Sequence, residues 1–266
     1  MDAFTRFAEL MRQPGAKVAR SACPLDEACL LIAAHLHPDV DVDAQRARID
    51  DLAAIVGERT VAGVGEALFG RVGFRGDTES YRHPDNSLLH RVLDRRRGIP
   101  ITLSVLMIEV GRRIGVELVG IGLPGHFLVG DANDDDAFVD PFAAGVRLDR
   151  RGCQRLLERI HGQGVALEPA HLRPTPPAMI LARVLQNMRV SYAAAGPRAL
   201  LVEVLRLRTV VPGVPLAERR VLADVLTRAG QFDQAATELE TVALRTLGPD
   251  GDQLRTQAHR LRARLN

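Results

Sequence analysis

The segment after Pro100 constrains the fold more than any other part of the sequence. Residues 101–110 are aliphatic except for Thr102, Ser104 and Glu109. At about 3.6 residues per turn, an α-helix of this composition is apolar around most of its circumference and has to be buried on most sides. Pro100 is compatible with the first turn, because its missing N–H would have no helical partner there. The sequence therefore predicts a central helix surrounded by other elements.

The hydrophobic period changes behind this helix. Apolar runs predict short strands at residues 116–122, 126–129 and 137–140, and the polar run at residues 131–136 predicts a hairpin loop between the last two. Helical spacing of apolar residues predicts further helices before the central one, at residues 25–36, 43–56, 61–69 and 88–93. These elements predict a mostly helical α+β domain with a small antiparallel sheet.

A cluster of prolines at residues 174–177 predicts a stiff linker and a domain boundary. Helical spacing continues beyond it, and Ala195-Gly196 recurs as Ala229-Gly230, an offset of 34 residues that is typical of tetratricopeptide repeats. We therefore expect an α+β domain at residues 1–173 and an all-α, tetratricopeptide-like module at residues 178–266. Two repeats are fewer than a free-standing array needs, so the module should lean on the domain before it.

His126 and Asp140 form the sharpest candidate pair for chemistry. A hairpin with its tip near Asn133 would bring them opposite one another, and opposed Cβ atoms on paired strands lie about 4.5–5.5 Å apart. A carboxylate at that distance can bond one imidazole nitrogen and fix the tautomer, as in a nucleophilic triad. The same spacing suits a purely structural His–Asp pair, and spacing alone favours the structural interpretation.

A triad also needs a nucleophile, whose natural position is the N-terminus of the central helix, where the dipole stabilises a thiolate. The sequence offers no cysteine there, only Thr102 and Ser104. Both are weak candidates, because hydroxyls within helices usually bond the backbone. The chain has three cysteines, and their odd number and scattered spacing match neither a disulfide framework nor a zinc site. They are Cys23, Cys29 and Cys153.

Charge and hydropathy argue against several classes of function. A formal net charge of +2 gives no argument for a nucleic-acid partner. No window approaches the roughly 18 consecutive apolar residues of a membrane span, and the early acid at Asp2 is unlike a secretory signal. The acids at residues 131–136 lack the spacing of a helix–loop–helix calcium site. We expect a cytoplasmic protein with no nucleic-acid or membrane partner, no cofactor and no metal.

Several motifs in the right order resemble those of the bacterial SirB-type family, from about residue 25 to about residue 247. They are Asp85-Asn86-Ser87-Leu88-Leu89, Arg96-Arg97-Gly98-Ile99-Pro100-Ile101-Thr102-Leu103-Ser104-Val105-Leu106, Gly122-Leu123-Pro124-Gly125-His126-Phe127-Leu128-Val129 and Val139-Asp140-Pro141-Phe142. That family joins a transglutaminase-like N-terminal region to tetratricopeptide repeats. The resemblance thus implies the same two-part architecture for this chain.

The resemblance also implies roles for single residues. In transglutaminase-like enzymes a cysteine opens the central helix, and a histidine and an aspartate follow on neighbouring strands. The last two roles fall on His126 and Asp140, whereas the cysteine position falls at about Pro100 or Ile101, so the nucleophile does not carry over. Loss of the cysteine is typical of SirB-type proteins. Gly130 departs from the basic residue that relatives commonly have after the position of Val129.

Three interpretations of function follow. The favoured one is a transglutaminase-like protein without the catalytic cysteine, acting as a non-catalytic protein-binding or regulatory module, with a protein or peptide partner held by the C-terminal repeats. The alternative is a hydrolase or acyl-transfer enzyme that uses His126 and Asp140 as a general base. A metal site at the same pair is the weakest, because one histidine and one clear carboxylate are few ligands.

Overall fold

Helices predominate in the structure, a computed structural model that describes residues 1–19 and 23–265. In these residues twelve α-helices follow one another: α1 (Ala3–Arg12), α2 (Leu25–Leu36), α3 (Val42–Ala54), α4 (Val61–Gly65), α5 (Leu89–Arg95), α6 (Pro100–Arg113), α7 (Arg150–His161), α8 (Pro177–Ala195), α9 (Arg198–Val210), α10 (Ala217–Arg228), α11 (Phe232–Ala243) and α12 (Pro249–Arg262). A π-helical turn, Glu66–Arg71, continues α4. Turns of 3₁₀ type lie at Pro14–Lys17, Pro84–Ser87, Pro169–Leu172 and Ala263–Leu265. No helix within the described ranges is long and apolar enough to span a membrane.

Helix α6 is the buried helix that the sequence predicts. Every residue from Pro100 to Gly111 is buried, and only the two arginines at its end reach solvent. Helices α2 to α5 and α8 pack around it. The first turn is closed by Thr102, whose Oγ1 accepts a hydrogen bond from the N–H of Ile99 at 3.2 Å. Because α6 is buried on so many sides, the residues at its N-terminus are held in fixed positions.

The strands of the described chain are β1 (Arg75–Gly76), β2 (Arg97–Gly98), β3 (Leu118–Ile121), β4 (Leu128–Asp131), β5 (Asp134–Asp140) and β6 (Val146–Leu148). An antiparallel sheet with the strand order β3-β4-β5-β6 packs against α6, so the described chain has the expected α+β class. A separate parallel pair, β1 with β2, was not predicted, because two-residue strands leave no hydrophobic period in the sequence. Strand β6 was not predicted either.

The predicted hairpin loop at residues 131–136 is wrong. Asp131 pairs with Asp134, so the turn consists of Ala132 and Asn133 alone. The first residues of β5 are polar and exposed on both faces, and a strand that extends into solvent needs no apolar residues to make its backbone hydrogen bonds. The polar residues of this segment therefore indicate that the strand is exposed there, and they do not indicate that the strand ends.

Buried apolar side chains form three clusters. The largest surrounds α6 and includes residues of α1 to α5 together with one face of α8 and of α9. The second lies among α9 to α12, and the third lies between the sheet and α7. The domain boundary at residues 174–177 stays a prediction, but α8, which begins at that boundary, shares the core of the residues before it.

Both Ala-Gly pairs of the 34-residue offset lie in turns between helices. Gly196 separates α8 from α9, and Gly230 separates α10 from α11. Gly230 has φ 75°, a left-handed conformation that glycine adopts without strain, whereas Gly196 is extended, with φ −96°. The two turns are alike in position and different in backbone conformation, and the tetratricopeptide assignment stays a prediction.

Candidate functional site

A tight turn carries His126 to the start of β4. The N–H of His126 donates to the carbonyl of Leu123 at 3.0 Å, and Gly125 within the turn has φ 72°. A Cβ added to Gly125 would lie 2.7 Å from Ile160 of α7, so both conformation and space require glycine there. The imidazole is thereby placed inside the protein, with only 8% of the residue exposed.

Asp140 ends β5 and is fixed by its own backbone. Its Oδ1 accepts hydrogen bonds from the N–H groups of Phe142 at 3.0 Å and Ala143 at 3.2 Å. The same oxygen lies 2.9 Å from Nε2 of His126, in a pair that is buried on both sides. The hydrogen bond between His126 and Asp140 that the sequence predicts is confirmed.

The predicted reason for this contact is wrong. The register of the hairpin shifts between Gly130 and Asp131. Beyond this shift Val129 pairs with Val139 and Gly130 with Phe138, so Leu128, and not His126, lies opposite Asp140. The imidazole of His126 reaches the carboxylate diagonally, because His126 lies two residues before Leu128, the residue opposite Asp140. Diagonal neighbours on a sheet remain within reach of long and aromatic side chains, which is why a two-residue error in register left the contact intact.

Aromatic residues extend the site towards the surface. Phe142 contacts His126 edge-on, with ring centroids 6.0 Å apart, and Tyr81 contacts Phe142 in the same manner at 5.7 Å. A Cβ on Gly76 of β1 would lie 2.5 Å from the Phe142 ring, so this glycine leaves the space that the ring occupies. Tyr81 is 45% exposed, which makes it the outer end of the row.

Arg183 of α8 holds the backbone of the turn that carries His126, and no sequence pattern predicted this role. Its guanidinium donates to the carbonyl of His126 at 2.7 Å and to that of Leu123 at 3.3 Å. It also lies over the ring of Phe127, 5.4 Å from the centroid. Burial lowers the pKa of Arg183 below its ordinary value. The turn that positions His126 is therefore held by a helix from beyond the predicted domain boundary.

The hydroxyls of Thr102 and Ser104 are bonded to backbone. Thr102 is 1% exposed, and its Oγ1 donates to the carbonyl of Asn86 at 2.8 Å. Ser104 is fully buried and donates to the carbonyl of Pro100 at 2.8 Å. At the start of the helix, Pro100 and Ile101 are buried and have no nucleophilic group. The four sequence-predicted site residues thus divide into one bonded pair and two hydroxyls engaged elsewhere, and their catalytic role stays a prediction.

The cysteines lie outside this arrangement. Cys23 precedes α2, Cys29 lies within α2, and Cys153 lies on α7; all three are buried. Burial raises the pKa of the Cys23 thiol to about 11 and that of Cys153 to about 12, and it raises the pKa of Cys29 as well. Within the described ranges, no three His, Cys, Asp or Glu side chains are grouped closely enough to hold a metal ion.

Replacing Asp140 by alanine should lower the free energy of unfolding by about 2–3 kcal/mol, because two backbone N–H groups and one imidazole nitrogen lose their acceptor in a buried place. Asp140→Asn keeps an oxygen at the Oδ1 position and should cost about 1 kcal/mol or less. Urea unfolding of both variants measures the difference. Equal losses would show that the charge, and not the acceptor, holds the turn.

Comparison with known proteins identifies relatives of this chain. A family model described as the transglutaminase-like superfamily matches residues 34–186. The UPF0162 protein of Xylella fastidiosa (strain 9a5c) is 36% identical over 196 residues, which cover 67% of this chain and 68% of that protein. The UPF0162 protein of Pseudomonas aeruginosa is 34% identical over 187 residues, with the same shares of the two chains.

A shorter similarity extends to eukaryotes. F-box only protein 21 of Mus musculus is 34% identical over 99 residues, which cover 34% of this chain and 16% of that protein. The family match itself ends inside α8. It therefore crosses the proline cluster and includes Arg183, in agreement with the core that α8 shares with the residues before it.

Proposed function

The chain belongs to the transglutaminase-like superfamily, and we propose that it is a non-catalytic member, a protein-binding or regulatory module of the SirB type. In this proposal the His126–Asp140 pair is retained as structure. The helices from α8 onward, as tetratricopeptide-like repeats, bind a protein or peptide partner in the cytoplasm. The UPF0162 relatives match two thirds of the chain and support the family without indicating an activity.

The N-terminus of α6 is the observation that carries the proposal. Acyl transfer through a covalent intermediate needs a nucleophile within hydrogen-bond reach of its base. The resemblance to transglutaminase-like enzymes puts the position of their cysteine at about Pro100 or Ile101, and the hydroxyls that follow in α6 donate to backbone carbonyls. A hydroxyl so engaged is a far weaker nucleophile than a thiolate at the same place.

The helical region supports the binding half of the proposal. Helices α9 to α12 have their own apolar cluster, and successive antiparallel helices joined by short turns present an extended surface to a partner. Two large apolar residues lie exposed after α11, Leu244 at 81% and Leu247 at 95%. Contiguous exposed apolar surface marks sites that bind other proteins, and in this proposal the two leucines contribute to the contact with the partner.

Purified protein should show no transamidation and no peptide hydrolysis with a panel of acyl donors, before or after treatment with iodoacetamide. Its thiols should react at least about 100-fold more slowly in the native state than after unfolding, because a raised pKa leaves little thiolate. Cys153→Ala should leave the protein's function intact. Turnover that alkylation and Cys153→Ala both abolish would overturn the proposal.

The binding half is tested in living cells with a photo-crosslinking amino acid at Leu244. The matched control places it at Val146 of β6, which is 50% exposed but lies on the sheet. In cells, a crosslinked species is expected from position 244 and not from position 146. No species from either position, or the same species from both, would contradict a partner site on the helical region.

One observation favours the alternative, an enzyme that uses His126 as a general base. Asp140 holds Nε2 of His126, and within the described part of the chain no hydrogen bond engages the other ring nitrogen. An imidazole oriented in this way can accept a proton from water or from a substrate group. Turnover in the acyl-donor panel that survives alkylation but is lost in His126→Gln would support this enzyme in place of the non-catalytic module.

A further inference from the structure

A cavity of about 360 Å³ lies beside the C-terminal end of the central helix. The end of α6, strand β3 and the start of α8 enclose it, and neither His126 nor Asp140 lines it. Its volume is at the lower end of the range for small-molecule sites, which is about 300–1,000 Å³. The larger aliphatic side chains of its wall are Leu25, Ile108, Val116, Leu118, Val119 and Ile180.

Charged side chains of α6 form one end of the cavity. Glu109 is 1% exposed, and its carboxylate is already well bonded. Oε1 accepts from the N–H of Leu25 at 2.8 Å, and Oε2 accepts from Nε of Arg112 at 2.8 Å and from Nη1 of Arg113 at 3.3 Å. A cationic ligand would therefore find few free acceptors on this carboxylate.

Arg112 presents the opposite situation. Its Nε and Nη2 bond Glu109, and Nη2 also lies 3.6 Å from Oδ1 of Asp26, while Nη1 makes no hydrogen bond to any residue that the structure describes. A guanidinium with spare donors beside an apolar chamber matches a carboxylate, which accepts such bonds with charge assistance. Glu117 also lines the cavity, and both Arg112 and Glu117 are exposed, so water and salt screen both charges and the free donors of Nη1 distinguish Arg112 as the anchor.

We propose that this cavity binds a small carboxylic acid with an apolar body, the body lying among the aliphatic side chains and the carboxylate bonded to Arg112. Such a site is a pocket of this chain's own, independent of the proposed partner surface and of the His126–Asp140 pair. Because β3 and the start of α8 both line it, an occupant would touch the sheet and the helical region together.

Calorimetric titration of the full chain with octanoate, octanol and octylamine tests the proposal, since the three probes share one body and differ in the head group. Octanoate should bind saturably and at least about tenfold more tightly than octanol, the value of one charge-assisted hydrogen bond. Octylamine should bind no more tightly than octanol. Equal affinities of octanoate and octanol, or no saturable binding of octanoate, would overturn the proposal.

Variants locate the binding. Arg112→Gln should reduce octanoate to the affinity of octanol, while Arg112→Lys, which keeps the charge, should retain part of the preference. Val116→Trp should fill the cavity and abolish binding of both probes. The matched control is Val190→Trp on α8, at a valine that is 46% exposed and does not line the cavity. Binding that survives Val116→Trp in a protein with an unchanged melting temperature would place the ligand elsewhere.

Discussion

A chain that ends at Pro176 should show no cooperative thermal transition, whereas a chain that ends at Pro212 should keep one. The difference lies in the core. Helices α8 and α9 contribute to the cluster around α6 the buried side chains of Ala178, Ile180, Leu181, Val184, Leu185, Met188, Tyr192, Val204 and Leu207. Each large side chain of this set contributes about 1.5–3 kcal/mol by burial.

The sum of these contributions is as large as or larger than the whole stability of a typical domain, about 5–15 kcal/mol. The shorter chain should therefore lose its fold, and the longer one should retain most of it. Residues 178–266 alone should also fold poorly, because the face of α8 that packs on α6 would be exposed. Differential scanning calorimetry of the three fragments measures this. A cooperative transition in residues 1–176 would show that the proline cluster is a true boundary.

Replacing Arg113 by methionine should lower the free energy of unfolding by about 3–5 kcal/mol at pH 8.5. Asp26 is fully buried and lies 2.6 Å from Nη2 of Arg113, and Glu109 accepts from Nη1 of the same guanidinium. Burial opposes the charge of Asp26, yet the hydrogen bond and charge of Arg113 hold the pKa of this carboxyl below its ordinary value. Methionine would leave two neighbouring acids with much less compensation.

The loss should depend on pH. Burial and the neighbouring carboxylate of Asp26 raise the pKa of Glu109 to about 7. The folded state thus holds a proton that the unfolded chain has released, and this stabilisation is lost as the pH rises through about 7. Without Arg113 the pKa of Glu109 should rise further, so acidification from about pH 8.5 to 7 should restore part of the stability of the variant.

A surface ion pair provides the control for this effect. Arg48 bonds Asp94 at 2.7 Å, and the two side chains are 39% and 44% exposed. Arg48→Met should therefore cost less than about 1 kcal/mol. His90 adds little to the pH dependence of stability, because burial lowers its pKa to about 4 and it is neutral in the folded protein across that window. Urea unfolding at both pH values gives the comparison, and similar losses in the two variants would contradict a special role for the buried acids.

The central helix and the His126–Asp140 contact could be predicted because each depends on a short stretch of sequence. An apolar circumference is visible within fourteen residues, and a hairpin brings together residues that are close in the chain. Arg183 could not be found in this way, since it lies 57 positions from the carbonyl of His126 that it bonds. No local period reports a contact of that kind.

The strand errors have a similar origin. Polar residues 134–136 form part of β5 although they are exposed, and Asp134 pairs with Asp131 beside the turn, so side-chain burial does not define the strand there. The proline cluster marks a change of local structure correctly, since α8 begins at Pro177. Whether a change of local structure is also a division of the core depends on which faces pack together, and α8 packs on α6.

The late position of α8 and α9 in the chain has a consequence for synthesis. The ribosome releases residues in order, and α1 to α6 emerge long before the helices that complete their core. The pairing of His35 with Glu203 spans 168 positions and illustrates the delay. Until α9 has left the exit tunnel, the apolar surface around α6 lacks one wall and is open to chaperones and proteases. The transglutaminase-like part of this protein thus completes its core only after α8 and α9 have been synthesised.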